Sequence, residues 1–221
     1  MGQDMHYVTS DIHNDNIKFD KLLKVLNLSD DDHLFILGDL FDRSSSHPDP
    51  VGVYFNVLKL GKRCTVVRGN HDTWLAEYIV DYYRTPERKR AKPAPYPYNS
   101  FEVLQQRLTP VDMQDLAKWI LSCPVQVCFG LGNEKYLLAH AMVSPPDCQK
   151  DEDYYLMGEG DEEFTQKGIA GYISVYGHTN KGGHHIWKNA LGNVYVCDCG
   201  CGFKSGRLGC LCLETKEELY V

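Results

Sequence analysis

The sequence predicts an α/β protein in which two mixed β-sheets pack face to face and helices lie outside them. Two observations support this fold class. In the first part of the chain, short apolar runs alternate with amphipathic runs, which is the pattern of βαβ units with parallel strands. From Val125 onward the chain changes to short strand-like runs that glycine-containing turns connect. A parallel half followed by a strand-rich half therefore indicates two sheets with helices on their outer sides.

The first half contains three strand–helix units. Phe19, Leu22, Leu23 and Leu26 recur at helical spacing, and Gly61 closes the second helix. The predicted elements are a strand at 5–10, a helix at 19–26, a strand at 34–37, a helix at 51–60, a strand at 64–67 and a helix at 74–83.

Two insertions interrupt this order of elements. Residues 85–100 are rich in proline and basic residues and are predicted to form an exposed loop or lid, and 147–163 is predicted to form an acidic surface loop. Between them, Thr109-Pro110 is a helix-start signal. The remaining predictions are helices at 101–108 and 111–121 and strands at 125–129, 135–139, 173–176, 184–188, 194–198 and 208–214. We expect one domain over 1–221, since domains commonly span about 100–200 residues.

Composition excludes some classes of function. The net charge is −7, so the chain lacks the basic surface that drives stable binding to duplex nucleic acid. No stretch approaches the ~20 apolar residues that cross a bilayer, so we expect no membrane partner. Met1–Thr9 carries no secretory signal pattern. The nine cysteines are therefore interpreted as reduced thiols of a cytoplasmic protein.

Cysteines crowd near the C-terminus and raise the alternative of a zinc site. Zinc ribbons and knuckles use C-x2-C pairs across a tight turn, whereas these cysteines alternate with other residues as strand residues on one face do. Core packing is therefore the favoured interpretation. The residues are Cys197, Cys199, Cys201, Cys210 and Cys212.

Five short motifs each follow an apolar, strand-like run. In open α/β sheets, sites form at the carboxyl ends of strands, so these motifs are predicted to converge. Their mixture of oxygen and nitrogen donors suits Mn, Fe or Zn better than calcium. Each motif alone is weak, and their order together is a strong signal. They are Asp11-Ile12-His13, Gly38-Asp39-Leu40-Phe41-Asp42-Arg43, Gly69-Asn70-His71-Asp72, Ala139-His140-Ala141 and Gly177-His178-Thr179.

This series resembles the calcineurin-like metallophosphoesterase superfamily, whose fold is a four-layer αββα sandwich. Asp42-Arg43 and Arg68-Gly69-Asn70-His71 resemble its phosphoprotein phosphatase branch, which includes compact bacterial and phage Ser/Thr protein phosphatases. Cys197-Asp198-Cys199-Gly200 is similar to the D-x-G strand that closes the family's domain. The resemblance thus extends over nearly the whole chain.

The resemblance implies two divalent metal ions, with manganese favoured and iron or zinc acceptable to the same ligands. It implies a hydroxide between the two ions that attacks phosphorus in line, without a phospho-enzyme. Asp39 matches the carboxylate that bridges the two ions. The implied metal ligands are Asp11, His13 and Asp39 for the first ion, and Asp39, Asn70, His140 and His178 for the second.

The resemblance also implies a catalytic pair and a phosphate site. His71 matches the general acid that protonates the leaving oxygen, and Asp42 matches the carboxylate that orients it. Arg43, Arg68 and Asn70 match groups that bind the substrate phosphate. The alternative for Arg68 is an ion pair with Asp42 or another acidic residue.

Other polar residues near the motifs have plainer interpretations. His184 and His185 are expected at the surface or behind the ligands. Asp72 and Asp198 are expected to accept hydrogen bonds from ligands or from the backbone.

The sequence departs from the family pattern in three places. Asn14-Asp15 and Ser44 stand where glycines are usual. Many relatives carry an additional phosphate-binding arginine between the late histidine and G-H-T. This chain has no arginine between His140 and Gly177, and the acidic stretch 158–163 lies there instead. The departure puts a preference for phosphoproteins in doubt and leaves the hydrolytic core intact.

Three functions are open at this stage. The first is a phosphomonoesterase of the Ser/Thr protein phosphatase type, acting on a phosphorylated protein or a small phosphoester. The second is a nucleotide or polynucleotide phosphoesterase, such as a dinucleoside-tetraphosphate hydrolase, which the basic and aromatic residues of 84–98 favour. The third is a non-catalytic interaction scaffold, which would be expected to have lost ligands that this chain retains.

Overall fold

The computed structural model describes residues 4–43, 47–90 and 99–221, and within these ranges ten strands form two five-stranded sheets. The strands are β1 (His6–Thr9), β2 (His33–Leu37), β3 (Cys64–Val67), β4 (Gln126–Leu131), β5 (Glu134–Ala139), β6 (Ile173–Tyr176), β7 (Trp187–Lys188), β8 (Val194–Val196), β9 (Gly209–Cys212) and β10 (Glu218–Tyr220). The α-helices are α1 (Asn16–Leu26), α2 (Pro50–Leu60), α3 (Asn70–Arg84), α4 (Ser100–Arg107), α5 (Pro110–Ser122), α6 (Glu152–Met157) and α7 (Glu162–Lys167).

Both sheets are mixed. The first has the order β10-β9-β1-β2-β3, in which β1, β2 and β3 are parallel and β9 and β10 are antiparallel additions. The second has the order β4-β5-β6-β8-β7, with a parallel centre of β5, β6 and β8 and antiparallel strands at both edges. The parallel centres match the strand–helix alternation of the sequence, because parallel neighbours need long crossovers.

The side-chain period of the strands produces four layers. In β2, Leu34 and Ile36 pack among the helices, whereas Phe35 and Leu37 face the second sheet and contact a cluster that includes Tyr136. Successive side chains in a strand point to opposite faces, so one apolar strand serves both interfaces. The outer face of the second sheet packs against aromatic residues of α6 and α7. The predicted αββα arrangement is confirmed.

Local capping explains where several helices begin. The Asp15 carboxylate accepts the backbone N–H of Lys18 at the start of α1. Thr109 and Asp112 form a reciprocal capping box around Pro110, the first residue of α5, which confirms the predicted start signal of this helix.

The predicted boundaries differ from the structure at several elements; α1, for example, begins at Asn16 rather than at 19. The third helix begins at Asn70 rather than 74, because the Asp72 carboxylate accepts the Gly69 N–H and caps the first turn. The strand expected at 184–188 is limited to β7. The C-terminal strand β10 was not predicted.

One of the two insertions differs from expectation. Segment 147–163 is not a continuous loop: it contains α6 and the start of α7, with Asp151 and Asp161 as their N-caps. Tyr155 and Leu156 of α6 are buried, which explains why this acidic segment folds. In the 85–100 segment, residues 91–98 lie outside the described residues, and Ser100 begins α4.

The C-terminal cysteines pack in the core as predicted. All five are buried free thiols. Cys210 and Cys212 lie in β9, whereas Cys197, Cys199 and Cys201 follow β8 rather than continuing it, so the predicted strand at 194–198 is too long. None of the helices in the described part of the chain combines the length and the apolar character that a bilayer crossing requires.

Candidate active site

The five predicted motifs meet at one edge of the two sheets. Each supplies a polar side chain just after the carboxyl end of a parallel strand, where loops from different strands come together. We call these side chains the ligand cluster: Asp11 and His13 after β1, Asp39 after β2, Asn70 at the start of α3, His140 after β5 and His178 after β6.

The first half of the ligand cluster joins Asp11, His13 and Asp39. The His13 Nε2 atom lies 3.6 Å from Asp11 Oδ1 and 3.7 Å from Asp39 Oδ2. One ligand atom from each of the three residues lies within 4.8 Å of those from the other two, and all three side chains are buried. This spacing suits a single small cation.

The second half shares Asp39 with the first. The His140 Nε2 atom lies 3.4 Å from Asp39 Oδ2, 2.9 Å from Asn70 Oδ1 and 3.2 Å from His178 Nδ1. The same carboxylate oxygen, Asp39 Oδ2, therefore faces both halves of the cluster. A carboxylate in this position can bridge two cations.

The donor atoms fit a pair of cations. Asp11 Oδ1 and His13 Nε2 are buried and accept or donate no hydrogen bond among the described residues. The His13 Nδ1–H faces the Phe41 carbonyl at 3.2 Å, and the His140 Nδ1–H faces the Leu37 carbonyl at 2.8 Å. These contacts leave the Nε2 lone pair of each ring pointing into the cluster, as in metal sites generally.

Electrostatics give the same picture. Burial opposes charge on Asp39, but the surrounding histidines hold the pKa of its carboxyl far below the usual range. Burial likewise opposes charge on His140, and the Asp39 carboxylate outweighs it and raises the pKa of His140 to about 10. A positive charge is thus favoured at His140 Nε2, which lies next to Asn70 Oδ1, His178 Nδ1 and Asp39 Oδ2. A proton and a metal ion compete for this position.

Backbone strain concentrates in the same loops. Non-glycine residues seldom adopt positive φ, and conformations of this kind persist where the surrounding structure holds them. Nine non-glycine residues of the described ranges have positive φ, and seven belong to the predicted motifs or adjoin them. The seven are Asp11, His13, Asn14, Asp39, Asp42, Arg43 and His178.

Close backbone packing holds the Asp39 loop in place. A Cβ on Gly69 would lie 2.3 Å from Asp39 Oδ1, so only glycine fits there. The Asp72 carboxylate accepts the backbone N–H groups of Asp39 at 2.8 Å, Leu40 at 2.9 Å and Gly69 at 3.0 Å. Asp72 accepts hydrogen bonds from the backbone, as expected, and orients the loop that carries Asp39.

His71 lies beside the ligand cluster with Asp42 next to it. The His71 Nδ1 atom is 3.9 Å from Asp42 Oδ2, and its Nε2 atom is 4.0 Å from Asp39 Oδ2. Burial lowers the pKa of His71 to about 4. The imidazole thus has one nitrogen toward a carboxylate and the other toward the centre of the site.

Ser100 is a contributor that sequence reasoning missed. The Asp42 backbone N–H donates to Ser100 Oγ at 2.6 Å, and the Ser100 N–H donates to Asp42 Oδ1 at 3.3 Å. The Ser100 hydroxyl also donates to Asn14 Oδ1 at 3.1 Å. No local pattern separates this serine from other polar residues at helix starts, because its partners lie 58 and 86 positions away.

The two predicted phosphate-binding arginines have different surroundings. The Arg43 guanidinium lies over the Phe203 ring, 5.3 Å from its centre, and its positive charge acts to lower the pKa of His13, His71 and His178. The buried Arg68 instead forms an ion pair with Glu152 of α6 at 2.9 Å. This contact is the alternative that the sequence left open for Arg68.

The remaining polar candidates lie behind the site or outside it. His184 and His185 are exposed, as expected. Asp198 is buried and accepts the Gly200 N–H at 2.8 Å, and burial together with the nearby Asp11 charge raises the pKa of Asp198 to about 7. Among the described residues, the groups able to hold a metal ion contain no cysteine.

Two sequence comparisons found similar proteins. The sequence model of the calcineurin-like phosphoesterase family matches residues 7–195. A symmetrical bis(5'-nucleosyl)-tetraphosphatase of Glaesserella parasuis serovar 5 (strain SH0165) is 28% identical over 198 residues, which is 86% of this chain. The chain spans 65% of the length of that relative.

Solved structures share the fold. A candidate diadenosine tetraphosphatase superposes with a TM-score of 0.73 at 19% identity, covering 99% of this chain and 93% of its own. A Saccharomyces cerevisiae protein serine/threonine phosphatase similar to human PP5 superposes with a TM-score of 0.65 at 12% identity, covering 99% and 79%. At these identities the likeness is one of fold.

Proposed function

Because the chain belongs to the calcineurin-like phosphoesterase family, we propose that it is a metal-dependent phosphoester hydrolase whose substrate is a dinucleoside polyphosphate. The observation that carries the hydrolytic part is the position of Asp39 Oδ2, which faces His13 on one side and His140 on the other. A single oxygen shared by two sets of donors is the arrangement a two-cation hydrolase requires.

The metal ligands we propose are those of the ligand cluster. Asp11, His13 and Asp39 hold one cation, and Asp39, Asn70, His140 and His178 hold the other. We propose manganese, and the donors also accept iron or zinc. When bound, the cations lower the pKa of water and neutralise phosphate charge.

We propose His71 as the general acid. Burial lowers the pKa of His71 to about 4, and the Asp42 carboxylate that its Nδ1 atom faces favours the protonated ring against that effect. Its Nε2 atom points toward the centre where a leaving oxygen would lie. The two hydrogen bonds between Asp42 and Ser100 fix the loop and the carboxylate orientation. Ser100 is therefore a positioning residue for the acid.

Arg43 and Asn70 are proposed to bind the oxygens of the reacting phosphate. Arg43 lies near the histidines of the cluster and offers planar guanidinium donors, which suit phosphate geometry. Arg68 was expected to share this role. Its ion pair with Glu152 and its backbone bond to the Pro124 carbonyl favour a role in holding the turn before Asn70.

The choice of substrate rests on the relatives and on one sequence feature. The curated relative is a symmetrical bis(5'-nucleosyl)-tetraphosphatase. The chain also lacks an arginine between His140 and Gly177, a feature that weakens the case for a phosphoprotein substrate. The second candidate, a Ser/Thr protein phosphatase, is favoured by the Asp42–His71 pair.

A substrate panel at fixed manganese tests the proposal. We expect diadenosine tetraphosphate to be hydrolysed with a kcat/KM at least about tenfold above that for a phosphoserine peptide, p-nitrophenyl phosphate or a cyclic nucleotide. Chelation followed by dialysis is expected to abolish turnover, and added manganese to restore it. Preference for the phosphopeptide would replace the substrate assignment, and full activity of metal-free protein would overturn the hydrolytic one.

A further inference from the structure

A cavity of about 270 Å³ adjoins the ligand cluster on the side of the second sheet. Ala141 and Thr179, which line it, directly follow the cluster residues His140 and His178. Its other side is formed by the turn 158–160 and by Thr165 and Lys181. The proposed catalytic residues leave this cavity unused.

Lys181 supplies the positive charge of the cavity. Its Nζ atom donates to Thr165 Oγ1 at 3.2 Å and lies 4.1 Å from the centre of the Trp187 ring. These two contacts hold a flexible side chain in one place without neutralising it. Partial burial lowers the pKa of Lys181, and among the described residues no charged group adds to this shift.

The lining suits an anion. The hydroxyls of Thr165 and Thr179 are hydrogen-bond donors next to the ammonium group. The Glu159 carboxylate also lines the cavity, and because Glu159 and Lys181 are both exposed, water and salt screen its repulsion as they screen the attraction of Lys181. A phosphate group held by Lys181 would gain a charge-assisted hydrogen bond that is about twice as strong as a neutral one.

The sequence gives a reason for a lysine at this place. Between His140 and Gly177 the chain has no arginine, and neither Lys150 nor Lys167 of that interval lines the cavity, so Lys181 is the cation among its lining residues. Lys181 stands three positions after His178 and faces the same cavity as the acidic turn that occupies that interval. A substrate with one phosphate has no second phosphate to place there, whereas a polyphosphate chain does.

We propose that this cavity, with Lys181 as its main contact, binds a phosphate of the substrate other than the one that reacts. The inference rests on the proposed function, because it assumes that the ligand cluster holds the reacting phosphate. It adds a determinant of substrate class: selection of polyphosphate chains over monoesters by a residue outside the catalytic set.

Calorimetric titration of the manganese-loaded protein tests the cavity directly. The probes are a methylene-bridged, non-hydrolysable diadenosine tetraphosphate and phenylphosphonate, which has a single phosphorus. In Lys181→Gln, the Kd for the bridged analogue is expected to rise about tenfold, since a hydrogen bond to a charged group contributes that much. The Kd for phenylphosphonate is expected to change less than about twofold.

Two further variants sharpen the test. Lys181→Arg keeps the charge and is expected to retain binding of the analogue. Lys188→Gln removes an exposed lysine of β7 that does not line the cavity, and both probes are expected to bind as in the wild type.

The outcomes separate this inference from the proposed function. An unchanged Kd of the analogue in Lys181→Gln, or equal losses for both probes, overturns the cavity assignment while turnover of p-nitrophenyl phosphate still supports the hydrolase. A wild type that hydrolyses no ester overturns the proposed function. Wild-type protein that binds the two probes equally well also refutes the cavity assignment.

Discussion

The ligand cluster and the C-terminal cysteines both contain residue types that bind metal ions, but the fold places the two groups in different surroundings. The ligand cluster gathers Asp, Asn and His from five separate segments. The C-terminal cysteines lie close together in sequence, yet they divide between two apolar cores: Cys197 and Cys199 pack between the sheets, and Cys201 and Cys210 pack under the helices.

The electrostatics of the two regions are opposite. Burial raises the pKa of Cys199 to about 12 and also raises the pKa of Cys197 and Cys210, which keeps these thiols neutral. The histidines around Asp39 lower the pKa of its carboxyl although it is equally buried. Proximity in sequence is therefore a poorer guide to a metal site than buried donors that face one another and favour charge.

The largest effect that the contrast between the ligand cluster and the cysteines predicts is at Asp39. Asp39→Asn keeps the size of the side chain and removes the charge that both halves of the cluster share. We expect turnover to fall by about a thousandfold or more, because metal ions contribute several kcal/mol to the barrier and each 1.36 kcal/mol is a factor of ten. Metal content by mass spectrometry and turnover of p-nitrophenyl phosphate measure the effect.

The matched control is Asp20→Asn, which changes an exposed carboxylate on α1 that pairs with Lys24. It is expected to leave both readings unchanged. Retention of two metal ions and full turnover in Asp39→Asn would contradict the shared-ligand assignment.

His71→Ala is expected to have the second largest effect. Loss of a general acid lowers kcat by about 10²–10⁴-fold. The loss is expected to be greater for an alkyl phosphate than for p-nitrophenyl phosphate, whose leaving group needs no proton. Metal content should stay at the wild-type value, which separates His71 from the ligands. An unchanged kcat for the alkyl phosphate would contradict the assignment of His71 as the general acid. His184→Ala, at an exposed histidine, serves as the control.

Ser100→Ala tests the support of the loop that carries Asp42, because it removes the hydroxyl that accepts the Asp42 backbone N–H and keeps the backbone N–H that donates to the Asp42 carboxylate. We expect kcat for an alkyl phosphate to fall about five- to tenfold, because one hydrogen bond contributes about 1 kcal/mol. The ratio of alkyl to p-nitrophenyl turnover is the informative reading, since general destabilisation lowers both equally. Ser100→Thr keeps the hydroxyl and is expected to restore the ratio. Ser122→Ala, at an exposed serine of α5, is the control.

Much of the ligand cluster could be predicted because its signals are local. Asp11 and Asp39 each follow an apolar strand, and parallel strands end at a common edge. The contacts of Ser100 with Asp42 and of Arg68 with Glu152 could not be predicted, because they join residues 58 and 84 positions apart. Only tertiary packing decides which polar groups meet at such separations.

Among the helices and strands, too, those with local signals could be predicted and those that depend on tertiary contacts could not. β3 has the predicted bounds, since an apolar run between polar turns has few alternatives. The start of α3 was placed four residues late because Asn70 and His71 read as loop residues, whereas the Asp72 cap makes them the first turn. Strand β10 was missed because it is short and only half-buried, and it is defined by pairing with β9.

Cys210→Ala is expected to have the smallest effect on activity and to separate the two regions most cleanly. Cys210 is fully buried in the cluster under the helices, so truncation leaves a small cavity and lowers the free energy of unfolding by about 1 kcal/mol. Metal content and kcat should stay at the wild-type values, because a neutral, enclosed thiol offers no ligand to the site. Thermal unfolding, mass spectrometry and turnover measure the three quantities. A loss of bound metal without a loss of stability would mean that the cysteines and the ligand cluster are coupled, and the distinction between the two regions would fail.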